Sequence, residues 1–135
     1  MEVLAIGELT IGVSAEIFHI VKENDTAAKI GSGLVSAYST PSMIALMEMA
    51  SVAAIQPHLS KGHTSVGVEV DIKHIAATPV GIRVRAQASL TEIDGTRLTF
   101  RVEAWDAKEK IGEGRHVRAV IDTLRFEQRL RRKIG

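Results

Sequence analysis

Residues 40–57 read TPSMIALMEMASVAAIQP. The pattern predicts one helix. Thr40 can act as N-cap, accepting a bond from a free backbone N–H, and Pro41 then takes the first helical position, where its missing N–H costs nothing. Pro57 ends the run. Between them Ile44, Ala45, Leu46, Met47, Met49, Ala50, Val52, Ala53, Ala54 and Ile55 are apolar nearly all the way round. Such a helix is expected to be buried rather than laid on a surface. It is too short, and too polar at Ser42, Glu48 and Ser51, to cross a membrane.

Glu48 is the exception on this helix. No Lys or Arg occurs from Pro41 to Ser60. A carboxylate in an apolar setting costs several kcal/mol unless it is paired or protonated. Catalytic groups are commonly found in such positions. The plainer alternative places Glu48 on an exposed stripe with Ser51 and Gln56.

The remaining chain supplies strands. Residues 8–21, ELTIGVSAEIFHIV, alternate in part and predict a strand. KENDTAAKIGSGLVSAYS follows as an irregular approach with turn chemistry at Asn24-Asp25 and Gly31-Ser32-Gly33. Its apolar members Leu34, Val35 and Tyr38 could close over a ligand. Beyond the loop HLSKGHTS, Val66 to Ala76 predicts a strand that slips register near His74. Val80 to Ile93 and Thr96 to Asp106 predict two more, joined by a hairpin at Asp94-Gly95. Ile111 to Leu124 predicts the last. The end, RFEQRLRRKIG, carries five basic residues and one acidic. It reads as a solvated tail or short helix, or as a contact to phosphates.

At 135 residues the chain is expected to form one domain, residues 1–135, with one core. A net charge of +1 gives no field for nucleic acid, and 4% aromatic content offers no base-stacking surface. There is no cysteine, which excludes thiolate chemistry. MEVLAIGELT has an acidic second residue and no basic leader, so a cytoplasmic protein with no membrane association is expected. His58, His63 and His116 lack ligand spacing, so no metal is expected. The order of one strand, a buried helix and four strands joined by short turns calls for an α+β fold: a helix wrapped by an antiparallel sheet of about five strands.

Several spacings resemble the fluoroacetyl-CoA thioesterase family of the hotdog superfamily. They are Thr40 with Glu48 eight residues on, Gln56-Pro57-His58-Leu59, Gly67 seven residues ahead of His74, HIAATPVG from His74, and GEGRHVRAV with Gly112, Gly114, His116 and Arg118. The resemblance covers about Ser39 to Asp122. It implies the hotdog fold and hydrolysis of an acyl-CoA thioester, with coenzyme A as part of the substrate and no separate cofactor. It places the catalytic trio on Thr40, Glu48 and His74, a glycine beside the acyl group on Gly67, and an arginine near the site on Arg118. The fluoroacetate-specific member closes its site with aromatic residues ahead of the helix. GSGLVSAY offers only Tyr38 there, with Leu34 and Val35, so a different small acyl group is expected, bounded by Leu34 and Tyr38.

The residue types suit the reaction. Thioester hydrolysis needs an attacking hydroxyl or water, a base, and N–H donors for the oxyanion. Thr40 stands at a helix start, where the dipole favours negative charge. Eight helical residues place Glu48 about 12 Å along the axis, on an adjoining face. His74 titrates near neutrality. Each also has a structural role open to it: Thr40 as a cap, His74 as a strand-end histidine, Gly67 as a bulge. Thr40 can either attack or position water. The alternatives to hydrolysis are a hotdog hydratase or dehydratase, and a non-catalytic acyl-CoA-binding protein. Because the fold leaves strand edges open, a homodimer or higher homo-oligomer is expected.

Overall fold

The computed structural model describes residues 7–135, and the N-terminal leader reading falls largely outside them. Five strands form one antiparallel sheet: β1 (Ser14–Ile20), β2 (His63–His74), β3 (Arg83–Asp94), β4 (Arg97–Trp105) and β5 (Lys110–Asp122). Their order across the sheet is β1-β3-β4-β5-β2. A short helix α1 (Ala27–Ile30), the long helix α2 (Thr40–Ile55) and a terminal helix α3 (Thr123–Ile134) complete the chain.

Period-two alternation sets the inner face of the sheet. Val84, Ala86, Ala88 and Leu90 of β3 are buried, as are Leu98, Phe100, Val102 and Ala104 of β4. The three alanines leave room for a helix, and α2 fills it with Met43, Leu46, Met47, Ala50, Ala54 and Ile55. Gly112 of β5 is part of this fit, because a Cβ there would stand 2.5 Å from the Met43 sulfur. The expected hairpin is present, with Asp94 paired to Arg97 across Gly95-Thr96.

The structure corrects the sequence reading at several points. Ser39, not Thr40, caps α2: its Oγ accepts from the Ser42 N–H at 3.1 Å. Thr40 is the first helical residue, so its hydroxyl is released for other work. The chain past Pro57 continues as a 3₁₀ turn, Gln56–His58. β1 starts at Ser14 rather than residue 8. The approach to α2 is ordered by α1, whose cap Thr26 accepts from the Lys29 N–H. The register slip of β2 falls between Gly67 and Glu69, not near His74. At the basic end the sequence reading holds in its helical form: the segment is a helix with no buried residue, capped by Asp122.

Helix α2 is also buried on one side only. Pro41, Ala45, Met49 and Ala53 are exposed on the other. Beside them runs β2, which pairs with β5 and leaves its second edge free. Val68 and Val70 on that strand are nearly half exposed. One apolar flank of the molecule, helix face and strand edge together, is therefore uncovered in the single chain.

The cap assignment is directly testable. Ser39→Ala should lower the unfolding free energy by about 1–2 kcal/mol, as for a lost N-cap. Thr40→Ala, at a position that caps nothing, should cost less than about 0.5 kcal/mol. Urea denaturation of both variants measures the difference, and the reverse order would return the cap to Thr40.

Candidate active site

Backbone contacts place the start of α2 over the end of β2. Ala37 bridges Pro79, and the Tyr38 N–H donates to the Thr78 carbonyl at 2.9 Å. Thr78 and Pro79 follow soon after His74, the last residue of β2. The pinning brings Thr40 to His74, whose Nδ1 lies 2.8 Å from Thr40 Oγ1. Thr40 is exposed and His74 half-buried. Burial holds the His74 imidazole below its ordinary value of 6.5, with the Ala76 backbone opposing in part. His74 is therefore neutral at pH 7, and Nδ1 can accept the Thr40 proton. Its Nε2 is buried without a hydrogen-bond partner among the described residues. Buried polar nitrogens are rarely left so.

Glu48 belongs to a second cluster. Its Oε2 accepts from Arg118 Nη1 at 3.3 Å and lies 3.7 Å from His116 Nε2. Its side chain is 39% exposed while those of Arg118 and His116 are 8% and 1% exposed, so the carboxylate opens outward from a buried base. Arg118 is held in turn by Ser65: Nε donates to Ser65 Oγ at 2.7 Å and Nη2 to the Ser65 carbonyl at 3.0 Å. Gly67 makes this possible. A Cβ on Gly67 would stand 2.6 Å from Glu48 Oε2 and 3.3 Å from His116 Cε1. Glu48 thus has the cation that the local sequence withheld. Ser51 and Gln56 do not form an exposed stripe with it: Ser51 is buried and bonds the Met47 carbonyl, and Gln56 bonds His63 and Thr64.

The five residues Thr40, Glu48, Gly67, His74 and Arg118 therefore form two groups in the single chain. Thr40 and His74 make one, and Glu48, Gly67 and Arg118 the other. Gly67 and His74 are seven residues apart on one strand, about 23 Å at 3.3 Å per residue. Leu34 is 98% exposed in the loop after α1. Tyr38 is buried in the core, and its hydroxyl donates to the Ser42 carbonyl. Burial pushes its phenol far above the usual range. Two residues of the second cluster carried no role in the sequence reading. His116 stands two positions before Arg118 on a strand, and that spacing puts both side chains on one face. Ser65 left no comparable signal.

Comparison with known proteins agrees with this architecture. Residues 21–124 match the family described as fluoroacetyl-CoA-specific thioesterase. The fluoroacetyl-CoA thioesterase of Streptantibioticus cattleyicolor is 42% identical over 96 residues, which are 71% of this chain and 69% of that protein. A solved structure of a fluoroacetyl-CoA thioesterase superposes with a TM-score of 0.87 at 33% identity, covering 93% of this chain and 97% of the other. A Thermus thermophilus protein described as a thioesterase superfamily member superposes with a TM-score of 0.85 at 30% identity, covering 91% of each chain. With the match spanning most of the domain and the fold shared, the chain belongs to the fluoroacetyl-CoA-specific thioesterase family and is a hotdog-fold thioester hydrolase.

Proposed function

We propose that the protein hydrolyses small acyl-CoA thioesters at a site shared between two copies of the chain. The hydroxyl–imidazole pair of Thr40 and His74 carries the reading, since it is a nucleophile and base already in hydrogen-bond contact. His74 takes the Thr40 proton as Oγ1 bonds to the thioester carbon. The C–S bond breaks, and the proton passes to the coenzyme A sulfur. A water then attacks the acyl carbon and gives a proton to His74; the C–Oγ1 bond breaks, His74 returns that proton to Thr40 Oγ1, and the acid leaves. Glu48 orients that water, and the Gly67 N–H would be the donor to the oxyanion.

The two half-sites support a dimeric arrangement. Homodimers are mostly two-fold symmetric, so an edge strand meets itself antiparallel. Pairing β2 with its copy so that Gly67 faces His74 would lay Thr40 and His74 of one protomer against Glu48 and Arg118 of the other. The same pairing would cover the free β2 edge and the apolar face of α2. Leu34, on an exposed loop, and Tyr38, packed beneath the start of α2, would bound the acyl group. That boundary lacks an aromatic lid, which favours a small acyl group other than fluoroacetyl. A soluble cytoplasmic setting fits a coenzyme A substrate. No helix among the described residues is long and apolar enough to cross a membrane.

Incubation with a panel of short acyl-CoAs should release free thiol. Binding without thiol release would leave an acyl-CoA-binding protein, and a change in enoyl absorbance would indicate a hydratase. Thr40→Ala and Glu48→Gln should each be folded and nearly inactive. Mixed after co-refolding, they should recover about a quarter of parental activity, because half of the dimers then hold one intact composite site. Mixtures as inactive as the separate variants would place each site within one chain. Sedimentation at micromolar concentration should show at least a dimer, and a monomeric mass there would overturn the shared site.

Turnover should also depend on neutral His74. Burial lowers its pKa, so the rate should fall on acidification with a midpoint below the ordinary imidazole value of 6.5. His74→Ala should cost on the order of 100-fold in kcat and remove this acid limb. An unchanged limb in the folded variant would exclude His74 as the base.

A further inference from the structure

The guanidinium of Arg118 is almost fully assigned by its surroundings. It has five N–H donors in a rigid plane. One goes from Nε to Ser65 Oγ at 2.7 Å, and another from Nη2 to the Ser65 carbonyl at 3.0 Å. Nη1 has two hydrogens and two neighbours: His116 Nε2 at 3.1 Å and Glu48 Oε2 at 3.3 Å. Arg118 is 7% exposed and Ser65 7% exposed, so water competes little for these bonds.

The contact with His116 works only for one tautomer. His116 Nδ1 lies 2.8 Å from the Glu69 carbonyl oxygen, which can only accept, so Nδ1 carries the hydrogen. Nε2 then presents a lone pair to Arg118 Nη1. A hydrogen on both nitrogens would set N–H against N–H. Burial, together with the Arg118 charge, favours the neutral ring, while the Glu69 carbonyl and Glu48 oppose in part. The ring is otherwise fixed by packing: it stacks on Phe100 with centroids 6.2 Å apart. The Glu69 carbonyl that orients it lies just after the irregularity between Gly67 and Glu69 in β2. The bulge, the glycine and the histidine thus form one device around one cation.

We propose that His116 and Ser65 are positioning residues for the reaction: they lock the Arg118 plane so that a single N–H of Nη1 is left to fix Glu48 Oε2, with Oε1 free toward substrate. The inference rests on the reading of Glu48 as a catalytic carboxylate. Without the Ser65 oxygens the fork could rotate about its own stem. Without the His116 lone pair, one Nη1 hydrogen would lose its acceptor, and the carboxylate could shift inward to take it. Arg118 in either case would remain charged and near Glu48, but Glu48 would lose its aim.

The test uses His116→Phe, which keeps the ring and its packing on Phe100 but removes the acceptor. It should lower kcat by on the order of tenfold, as expected for a slightly misplaced catalytic group, with KM changed less than about twofold. His116→Gln, whose amide oxygen can reach the Nε2 position, should recover most of the loss. In an Arg118→Met background His116→Phe should have almost no further effect, since it acts through the arginine. Should His116→Phe fail to fold, Ser65→Ala tests the same brace from the other side and should also lower kcat selectively. Parental kcat in His116→Phe, an equal loss in the Arg118→Met background, or no recovery by His116→Gln would each overturn the proposal. The Arg118 Nε–H resonance tests the brace apart from turnover. It should exchange slowly in the parent protein and be lost in Ser65→Ala. An identical signal in both proteins would overturn the brace, whereas a parent that cleaves no acyl-CoA while keeping the signal would overturn only the thioesterase reading.

Discussion

Helix α2 carries a carboxylate into apolar surroundings, and a half-buried carboxylate needs a cation. Arg118 meets that need from β5, seventy residues away in the chain. The arrangement around it follows from the same requirement. Gly67 has no side chain because Glu48 occupies the volume where a Cβ would stand. Ser65 and His116 satisfy the remaining donors of a guanidinium that would otherwise be costly to bury. The ion pair therefore ties α2 to β2 and β5 on the side of the sheet where the hydrophobic packing is thinnest. Its open carboxylate edge faces outward, where chemistry can use it.

The second constraint is the uncovered flank. α2 spends its larger apolar residues on β1, β3 and β4, and keeps small ones, Ala45 and Ala53, with Met49, on its outer side. Small residues let another surface approach the helix closely. The adjoining strand β2, twelve residues long, pairs with β5 on one side and forms the edge of the sheet on the other. Both features lie between the two half-sites. The same economy that leaves this flank open also separates Thr40 and His74 from Glu48, because an α-helix advances too far in eight residues to bring them together. In the proposed pairing of two chains, covering this flank would also bring the two groups of site residues together.

The His74–Thr40 pair shows how a small change of cap alters chemistry. Ser39 takes the structural duty at the helix start, and Thr40 turns its hydroxyl to the end of β2. Had Thr40 capped the helix, its oxygen would have been committed to a backbone N–H. The bridge between Ala37 and Pro79 sets the remaining distance. Fold and reactivity meet in the choice between two adjacent hydroxyl residues.

The sequence by itself determined the α+β class, the long apolar helix, the four following strands, the alternation of β3 and β4, and the hairpin at Asp94-Gly95. These depend on local periodicity and turn chemistry, which neighbouring residues specify. It also marked Thr40, Glu48, Gly67, His74 and Arg118 through spacings shared with a thioesterase family. It could not choose between Ser39 and Thr40 as the cap, since both have suitable hydroxyls and only the path of the preceding chain selects one. It placed the β2 irregularity too late, because Glu48 and His116 press on Gly67 from other elements. The nearly all-apolar circumference of α2 points to a buried helix, although one side, with Pro41, Ala45, Met49 and Ala53, is exposed in the single chain. Tertiary structure alone decided that Glu48 is paired and that the trio divides into two groups. Ion pairs and site distances are set by strands that meet across the sheet, and no stretch of sequence contains both partners.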